Sequence, residues 1–349
     1  MELDLFQYCF LLIASAVTCG YLTPLMRKVA FRFQIVDAPN QLHKTHKEPI
    51  PYLGGVAIIL SILLITLIGS IFTNVDSGTR LTLLAILIPA TIIGTVGLID
   101  DIKNLSPFSR FIAQTLSGIF TALIIIKAQT VGSPTGNSIL DFSITVLWIV
   151  GVTNSINFFD NHDGGASGTV AISSLGLFIL SFISGQYYIA ALAIVLAGSA
   201  MGFLVWNRNP ARIYMGDAGS LFLGMMLASL LVRFDPSPIN RWAGFAIPIL
   251  LLALPIMDTT VAVLSRIKRG ISPFQGGQDH LSYRLVRRGL SRRKTAYVLW
   301  GATANFVFLA ILISNVGYAF EGVLLLATGF LWLVMFSWFW MQPHSLSKK

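Results

Sequence analysis

The chain has 349 residues, 55% of them hydrophobic and only 11% charged, less than half the charged share usual in a soluble domain. A water-soluble fold cannot keep that much apolar surface out of water, so composition alone points to a bilayer. The formal net charge of +9 gives no reason to invoke nucleic acid, because the basic residues gather in the loops of one membrane face, and Cys9 and Cys19 lie in one apolar run with neither a disulfide framework nor zinc-ligand spacing.

A membrane span needs about 20 mostly apolar residues. In chain order, eleven runs qualify, at about 5–27, 51–73, 80–99, 110–128, 140–158, 168–184, 187–206, 218–233, 242–265, 296–314 and 319–341. The first reads as a retained span, because Glu2 and Asp4 precede it where a signal peptide would carry basic residues. Only Gly185 and Gln186 separate the sixth run from the seventh, and neither an internal repeat nor a low-complexity segment is visible. The expected fold class is all-α, a polytopic membrane helix bundle of about eleven transmembrane helices forming one domain over 1–349.

Orientation follows from lysine and arginine. With the N-terminus outside, the C-terminus and the loops at about 28–50, 100–110, 159–167, 207–217 and 266–295 are cytoplasmic. That side then holds 20 of the 24 basic residues, leaving Arg80, Lys127, Arg233 and Arg241 outside. Most of these charges need no role beyond topology and contact with anionic lipid heads.

The unusual polar sequences fall on the same side, which suggests one site assembled from several loops. Asp100 and Asp101 end the third run in Leu98-Ile-Asp-Asp-Ile-Lys-Asn104; adjacent carboxylates repel, and near hydrocarbon they need a cation or a proton, although an acidic pair also serves as a solvated helix stop. Next comes Asn157-Phe-Phe-Asp160-Asn-His-Asp163-Gly-Gly165. If the helix continues through it, Asp160 and Asp163 share a face one turn apart, and the glycines admit a ligand close to the backbone; His162 reads as an incidental surface residue rather than a metal ligand. Asp217, between Gly216 and Gly219, suits a helix N-cap or a ligand equally. Asp258 lies inside the ninth run, about 12 Å from Arg266 along a helix, where an ionisable group is either functional or a packing acid. The segment from Arg266 to Leu285 is basic and supplies forks for phosphate oxygens. Carboxylates beside a basic loop suit a Mg²⁺-assisted reaction on phosphates, with a lipid as one substrate.

Five ordered motifs carry a family resemblance across about Val36 to Leu285: Asp37-Ala-Pro-Asn40 with Pro51-Tyr-Leu-Gly-Gly55, Asp100-Asp101 with Leu105-Ser-Pro107, Asn157 to Gly164, Pro210 to Leu223, and Arg266 to Leu285. Together they resemble the polyprenyl-phosphate N-acetylhexosamine-1-phosphate transferases, the membrane glycosyltransferase 4 superfamily. The resemblance implies attack of a polyprenyl-phosphate oxygen on the β-phosphorus of a UDP-sugar, with UMP leaving and Mg²⁺ as cofactor, Mn²⁺ standing in for it. It implies that Asp100 or Asp101 orients or deprotonates the lipid phosphate, that Asp217 ligates Mg²⁺ with help from Asp101, that Asn157, Asp160 and Asp163 serve the uridine-diphosphate side, and that Arg266 and His280 hold the diphosphate or sugar. A UDP-sugar donor, a polyprenyl-phosphate acceptor and membrane lipid are then the partners, no nucleic acid is among them, and a homodimer is compatible with the pattern. The place of action is the plasma or inner membrane, with the site facing the cytoplasm.

The chain departs from the family pattern twice. Where the family often shows Asp-Gly-x-Asp-Gly-Leu it has Asp160-Asn-His-Asp-Gly-Gly165, and where the family often shows His-x-His-His-Arg-Leu it has His280-Leu-Ser-Tyr-Arg-Leu285. Within the family, the muramoyl-pentapeptide transferase branch typically has a lysine where this chain has Asn104 and Thr-Pro-Thr-Met-Gly-Gly where it has Ile50-Pro-Tyr-Leu-Gly-Gly55, which favours a simple hexosamine donor, UDP-N-acetylglucosamine. The competing class, a transporter, calls for paired half-repeats and helices broken near the midplane; the acids sit at the inner boundary instead.

Overall fold

The computed structural model describes residues 3–37, 49–73, 75–127, 135–236, 241–273 and 275–343. Ala38 to Asn40 of the first motif, Lys44 and Lys47, and Lys348 and Lys349 lie outside the described residues. Thirteen helices, α1 to α13, make up almost all of the described chain, so the all-α reading stands. Ten of them are long and apolar enough to cross a bilayer, and a bent pair brings the number of spans to eleven. This is a multi-pass membrane protein.

The first spans are α1 (Leu5–Arg32), α2 (Gly54–Phe72), α3 (Ser77–Lys103), α4 (Pro107–Lys127) and α5 (Ser138–Phe159). A two-residue antiparallel ladder, β1 (Val36–Asp37) with β2 (Ile50–Pro51), ties the end of α1 to the start of α2. Then come α6 (Gly165–Ile183), α7 (Tyr187–Asn207) and α8 (Gly216–Arg233). The last group is α9 (Arg241–Leu251), α10 (Ala253–Lys268), the short α11 (Leu281–Arg287), α12 (Arg292–Asn315) and α13 (Tyr318–Trp340).

α8 is the axis of the bundle, the most buried of the spans, with α2, α3 and α5 packed around its first turns. Small residues let the backbones touch, as membrane helices require where no hydrophobic force favours side chain over lipid. A Cβ on Gly55 would lie 2.2 Å from the nitrogen of Gly219, and one on Gly97 would lie 2.4 Å from the carbonyl oxygen of Asp217. These contacts pin the ends of α2 and α3 against the start of α8.

The predicted ninth span, 242–265, is not one helix. It breaks at Leu252 into α9 and α10, which bend by 75°. Pro255 cannot donate to the carbonyl of Leu251 and its ring crowds that oxygen. Hydrocarbon would leave the freed carbonyls unsatisfied. Ser173 Oγ donates to Leu251 O at 2.6 Å, and Trp332 Nε1 donates to Ala253 O at 3.2 Å.

Candidate active site

The site starts where α3 ends beside the start of α8. Asp217 is the second residue of α8, not its N-cap, and Met215 at the cap position makes no side-chain bond. The capping is done from another helix. Both oxygens of Asp101 accept from the free amides there, Asp217 N at 2.9 Å and Ala218 N at 3.1 Å, the groups a helix start leaves without partners. Asp217 is thereby freed to face outward. Its Oδ1 accepts from Asn157 Nδ2 at 2.8 Å, and its Oδ2 from Arg110 Nη1 at 2.6 Å. The same guanidinium nitrogen reaches Asp100 Oδ2 at 2.8 Å. Asn104, with φ 51° in the left-handed region, turns the chain so that Arg110, early in α4, comes back over the Asp pair.

The turn between α5 and α6 forms the facing wall. α5 ends at Phe159, so Asp160 and Asp163 do not share a helix face as expected; Asp160 is the C-cap, and Gly164, at φ +72°, redirects the chain into α6. Both carboxylates still line the same pocket. Asp163 is held by Asn209 Nδ2 at 2.7 Å and Ala211 N at 3.1 Å. The Asp160 carboxylate has no hydrogen-bond or ion-pair partner among the described residues. Burial, together with the charges of Asp217, Asp101 and Asp163, holds its pKa well above the usual carboxylate range. His162 is no incidental surface residue: it lines the pocket with Nε2 2.7 Å from the carbonyl of Arg292, and burial holds its pKa below the ordinary imidazole value.

The pocket encloses about 440 Å³. Asp37, Asp100, Asp101, Asp160, Asp163 and Asp217 line it, six carboxylates against the single guanidinium of Arg292 among the described lining residues. Tyr52 and Tyr214 stand on the β2 side with ring centroids 6.2 Å apart. Burial, and then the nearby carboxylates, raise the pKa of both phenols, so they remain hydroxyl donors. Carboxylates gathered this closely repel one another and need protons or a cation to balance them.

Arg266 and His280 do not line this pocket. They form a buried second cluster behind its wall. Arg266 grips Asp279 with two bonds, Nε to Oδ2 at 3.0 Å and Nη2 to Oδ1 at 2.8 Å, and donates to Pro273 O at 2.8 Å. The carboxyl of Asp279 is opposed by burial, yet the bonds and charge of Arg266 outweigh this and hold its pKa low. Arg266 Nη2 also meets His280 Nε2 at 3.1 Å, and His280 Nδ1 meets Asp258 Oδ2 at 2.7 Å. A guanidinium only donates, so Nε2 accepts and the imidazole proton sits on Nδ1, facing Asp258. Asn161 joins the two clusters: it lines the pocket, bonds Asp258 Oδ2 at 3.4 Å, and accepts from Ser282 Oγ. Asn161 and Ser282, one position from each motif that departs from the family pattern, thus touch each other.

Of the expected site residues, Asp100, Asp101, Asn157, Asp160, Asp163 and Asp217 come together in one pocket, while Arg266 and His280 stand one layer behind it. Sequence reasoning missed Arg110 and Arg292, which it counted only as topology charges, and gave no role to Tyr214. A signal for Arg110 was present: a cation placed at the same membrane boundary as the Asp pair.

Comparison with known proteins decides the family. A model of glycosyl transferase family 4 matches residues 83–235. A probable undecaprenyl-phosphate N-acetylglucosaminyl 1-phosphate transferase of Bacillus subtilis is 32% identical over 308 residues, 87% of this chain and 84% of its own. The chain belongs to glycosyl transferase family 4. It is an enzyme of the phosphotransferase and glycosyltransferase class that this family represents. It is also similar to a decaprenyl-phosphate N-acetylglucosaminephosphotransferase of Mycobacterium leprae, 28% identical over 82% of this chain and 79% of the relative. A phospho-N-acetylmuramoyl-pentapeptide-transferase of Streptococcus mutans is 29% identical over 62% of this chain and 71% of its own length.

Proposed function

We propose that this transferase moves N-acetylglucosamine-1-phosphate from UDP-N-acetylglucosamine to a polyprenyl phosphate of the undecaprenyl type, the priming step of a cell-envelope glycan. A lipid-phosphate oxygen bonds to the β-phosphorus of the donor; the bond from that phosphorus to the bridging α–β oxygen breaks, and UMP leaves with its electron pair. The observation that carries this reading is the pocket itself, in which carboxylates from α3, the α5–α6 turn and α8 face one another beside Arg110 and Arg292. Coverage of most of both chains by the Bacillus subtilis relative supports the hexosamine branch, as do Asn104 and Ile50 to Gly55.

The donor set fits Mg²⁺. Among the described residues no three His, Cys, Asp or Glu side chains form a closed metal site, but Mg²⁺ is usually held by one or two carboxylates and completed by substrate phosphates and water. Asp100 Oδ2 and Asp217 Oδ2, hard oxygens from two helices, already converge on one cationic nitrogen of Arg110. In this reading Asp217 and Asp100 hold the ion, and Asp101, implied as a ligand by the resemblance, contributes through the N-terminal amides of α8 that it fixes. Bound there, Mg²⁺ neutralises charge on the transferring diphosphate. Asn157 keeps Asp217 aimed, and the Tyr52 and Tyr214 hydroxyls donate to oxygens of the donor. Arg110, released from the carboxylates, and Arg292 meet phosphate. Asp160 and Asp163 border the uridine side. His280 and Arg266 act through Asn161 and Tyr283 by holding the wall that both line. A lipid phosphate is already anionic at neutral pH, so no strong base is needed at Asp100. The pocket opens to the cytoplasm in this account, supported by the 20 of 24 basic residues assigned to that face.

UMP release by the purified protein in detergent tests the reading. With undecaprenyl phosphate and Mg²⁺, UDP-N-acetylglucosamine yields UMP and UDP-N-acetylmuramoyl-pentapeptide does not, and chelation stops release. UMP from the pentapeptide donor alone would move the chain to the other branch.

A further inference from the structure

α7 and α12 leave a groove of about 380 Å³ between them at the pocket end of the bundle. Arg208 caps α7 and Arg293 lies in the first turn of α12, so both line it where the spans end. One turn deeper into the same spans the lining is apolar, with Leu204 and Val205 facing Tyr297 and Trp300. Both arginines are exposed and neither guanidinium has a hydrogen bond or ion pair among the described residues, and no described Asp or Glu lines the groove. Arg292, Arg293 and Lys294 crowd the first turn of α12, which has no acidic residue. A helix start disfavours cations, so these residues do not serve the helix.

The groove and the donor pocket share a wall. Asn209, which lines the groove, donates to Asp163 at 2.7 Å. Trp300 Nε1 donates to the carbonyl of Gly164 at 3.0 Å. Arg292, next to Arg293, lines the pocket and accepts from His162 through its carbonyl at 2.7 Å. Whatever settles in the groove therefore bears on the turn that carries Asp160 and Asp163.

We propose that this groove holds an anionic phospholipid of the surrounding bilayer, with its phosphate on Arg208 and Arg293 and an acyl chain along Leu204, Val205 and Tyr297, and that its presence steadies the 160–164 turn for the donor. The occupant follows from charge and shape. Two unpaired guanidiniums attract a net anion, and a zwitterionic lipid brings its own cation toward them. A free anion would leave Val205 and Tyr297, 58% and 55% exposed, uncovered. Both walls are membrane-spanning helices, so bilayer lipid is the medium that meets the groove, and basic clefts between such helices suit anionic head groups. The effect on donor binding rests on the function proposed above; the lipid site does not.

The test uses the full chain in nanodiscs of phosphatidylcholine, alone or doped with phosphatidylglycerol, without substrate. Phosphatidylglycerol should raise the melting temperature of the wild type, and the increment should vanish in the Arg208→Gln/Arg293→Gln double variant and survive in part in Arg208→Lys/Arg293→Lys. Retention of phosphatidylglycerol by native mass spectrometry should fall about 30-fold in the Gln variant, the product of two interfacial arginines. Equal melting in the two bilayers, an increment that persists in the Gln variant, the same increment from inorganic phosphate, or an increment from undecaprenyl phosphate that the Gln variant also abolishes would overturn the assignment. Since no turnover enters these readouts, their outcome is independent of whether the chain uses a UDP-sugar. In the transfer assay, the Gln variant should raise KM for the donor and keep kcat; an unchanged KM would remove the coupling to the turn.

Discussion

Asp101 and Asp217 sit in one hydrogen-bond network but do different work. Asp101 holds the start of α8, while Asp217 faces the pocket. Asp217→Asn should therefore abolish transfer with insertion and melting temperature unchanged. Asp101→Ala should abolish transfer and also destabilise the fold by about 1 kcal/mol, the usual cost of a lost helix cap. Matching melting temperatures for the two variants would remove the distinction. His280→Ala should lower turnover at least about tenfold and lower the melting temperature as well, because it strips a hydrogen bond from the buried Asp258 at a cost of about 1–3 kcal/mol; an unchanged rate would make the residue purely structural. His162 adds a pH dependence. Burial lowers its pKa in the folded protein, so below about pH 6.5 the unfolded chain binds more protons and stability falls as pH falls. Between pH 7.5 and 5.5 the wild type should lose more melting temperature than His162→Gln; parallel profiles would count against this.

At the scale of elements, the spans were legible because hydropathy over about 20 residues is a strong signal, and the carboxylates of the site were legible because acids at the ends of apolar runs are conspicuous. The internal geometry was not. The run 242–265 is apolar throughout, and hydropathy does not register what Pro255 does to the carbonyl of Leu251. Asp160 and Asp163 kept helical spacing in the sequence, but α5 ends at Phe159, ahead of both, and the left-handed Gly164 redirects the chain into α6. The cap on α8 comes from Asp101, more than a hundred residues away, and local sequence therefore offered Asp217 as the cap instead. Helix contacts follow the same logic. Gly97 lets α3 touch the backbone of α8 at Asp217. Gly97→Ala should separate the two helices, cost about 1–3 kcal/mol of stability, and lower transfer more than that loss of stability explains. Wild-type turnover in this variant would show that the close approach does not position Asp217.

For the whole molecule, the described acids of the first four loops expected on one face gather in one pocket while Asp279 stands behind it with Arg266, and the basic residues counted for topology include two, Arg110 and Arg292, that stand at the pocket. Charge bias points to a face but not to a residue, because a guanidinium that orients the chain and one that meets a phosphate look alike in sequence. His280 and Arg266 show the converse: a motif marks them, and the fold sets them behind the wall they brace. The central claim is that the bond broken lies between the two phosphates of the donor. UDP-N-acetylglucosamine labelled at the β-phosphorus, incubated with the purified chain, undecaprenyl phosphate and Mg²⁺, tests it directly. The account expects the label in the lipid product and unlabelled UMP in solution. Labelled UDP in solution with an unlabelled lipid-linked sugar would contradict it, since the chain would then transfer the sugar without its phosphate.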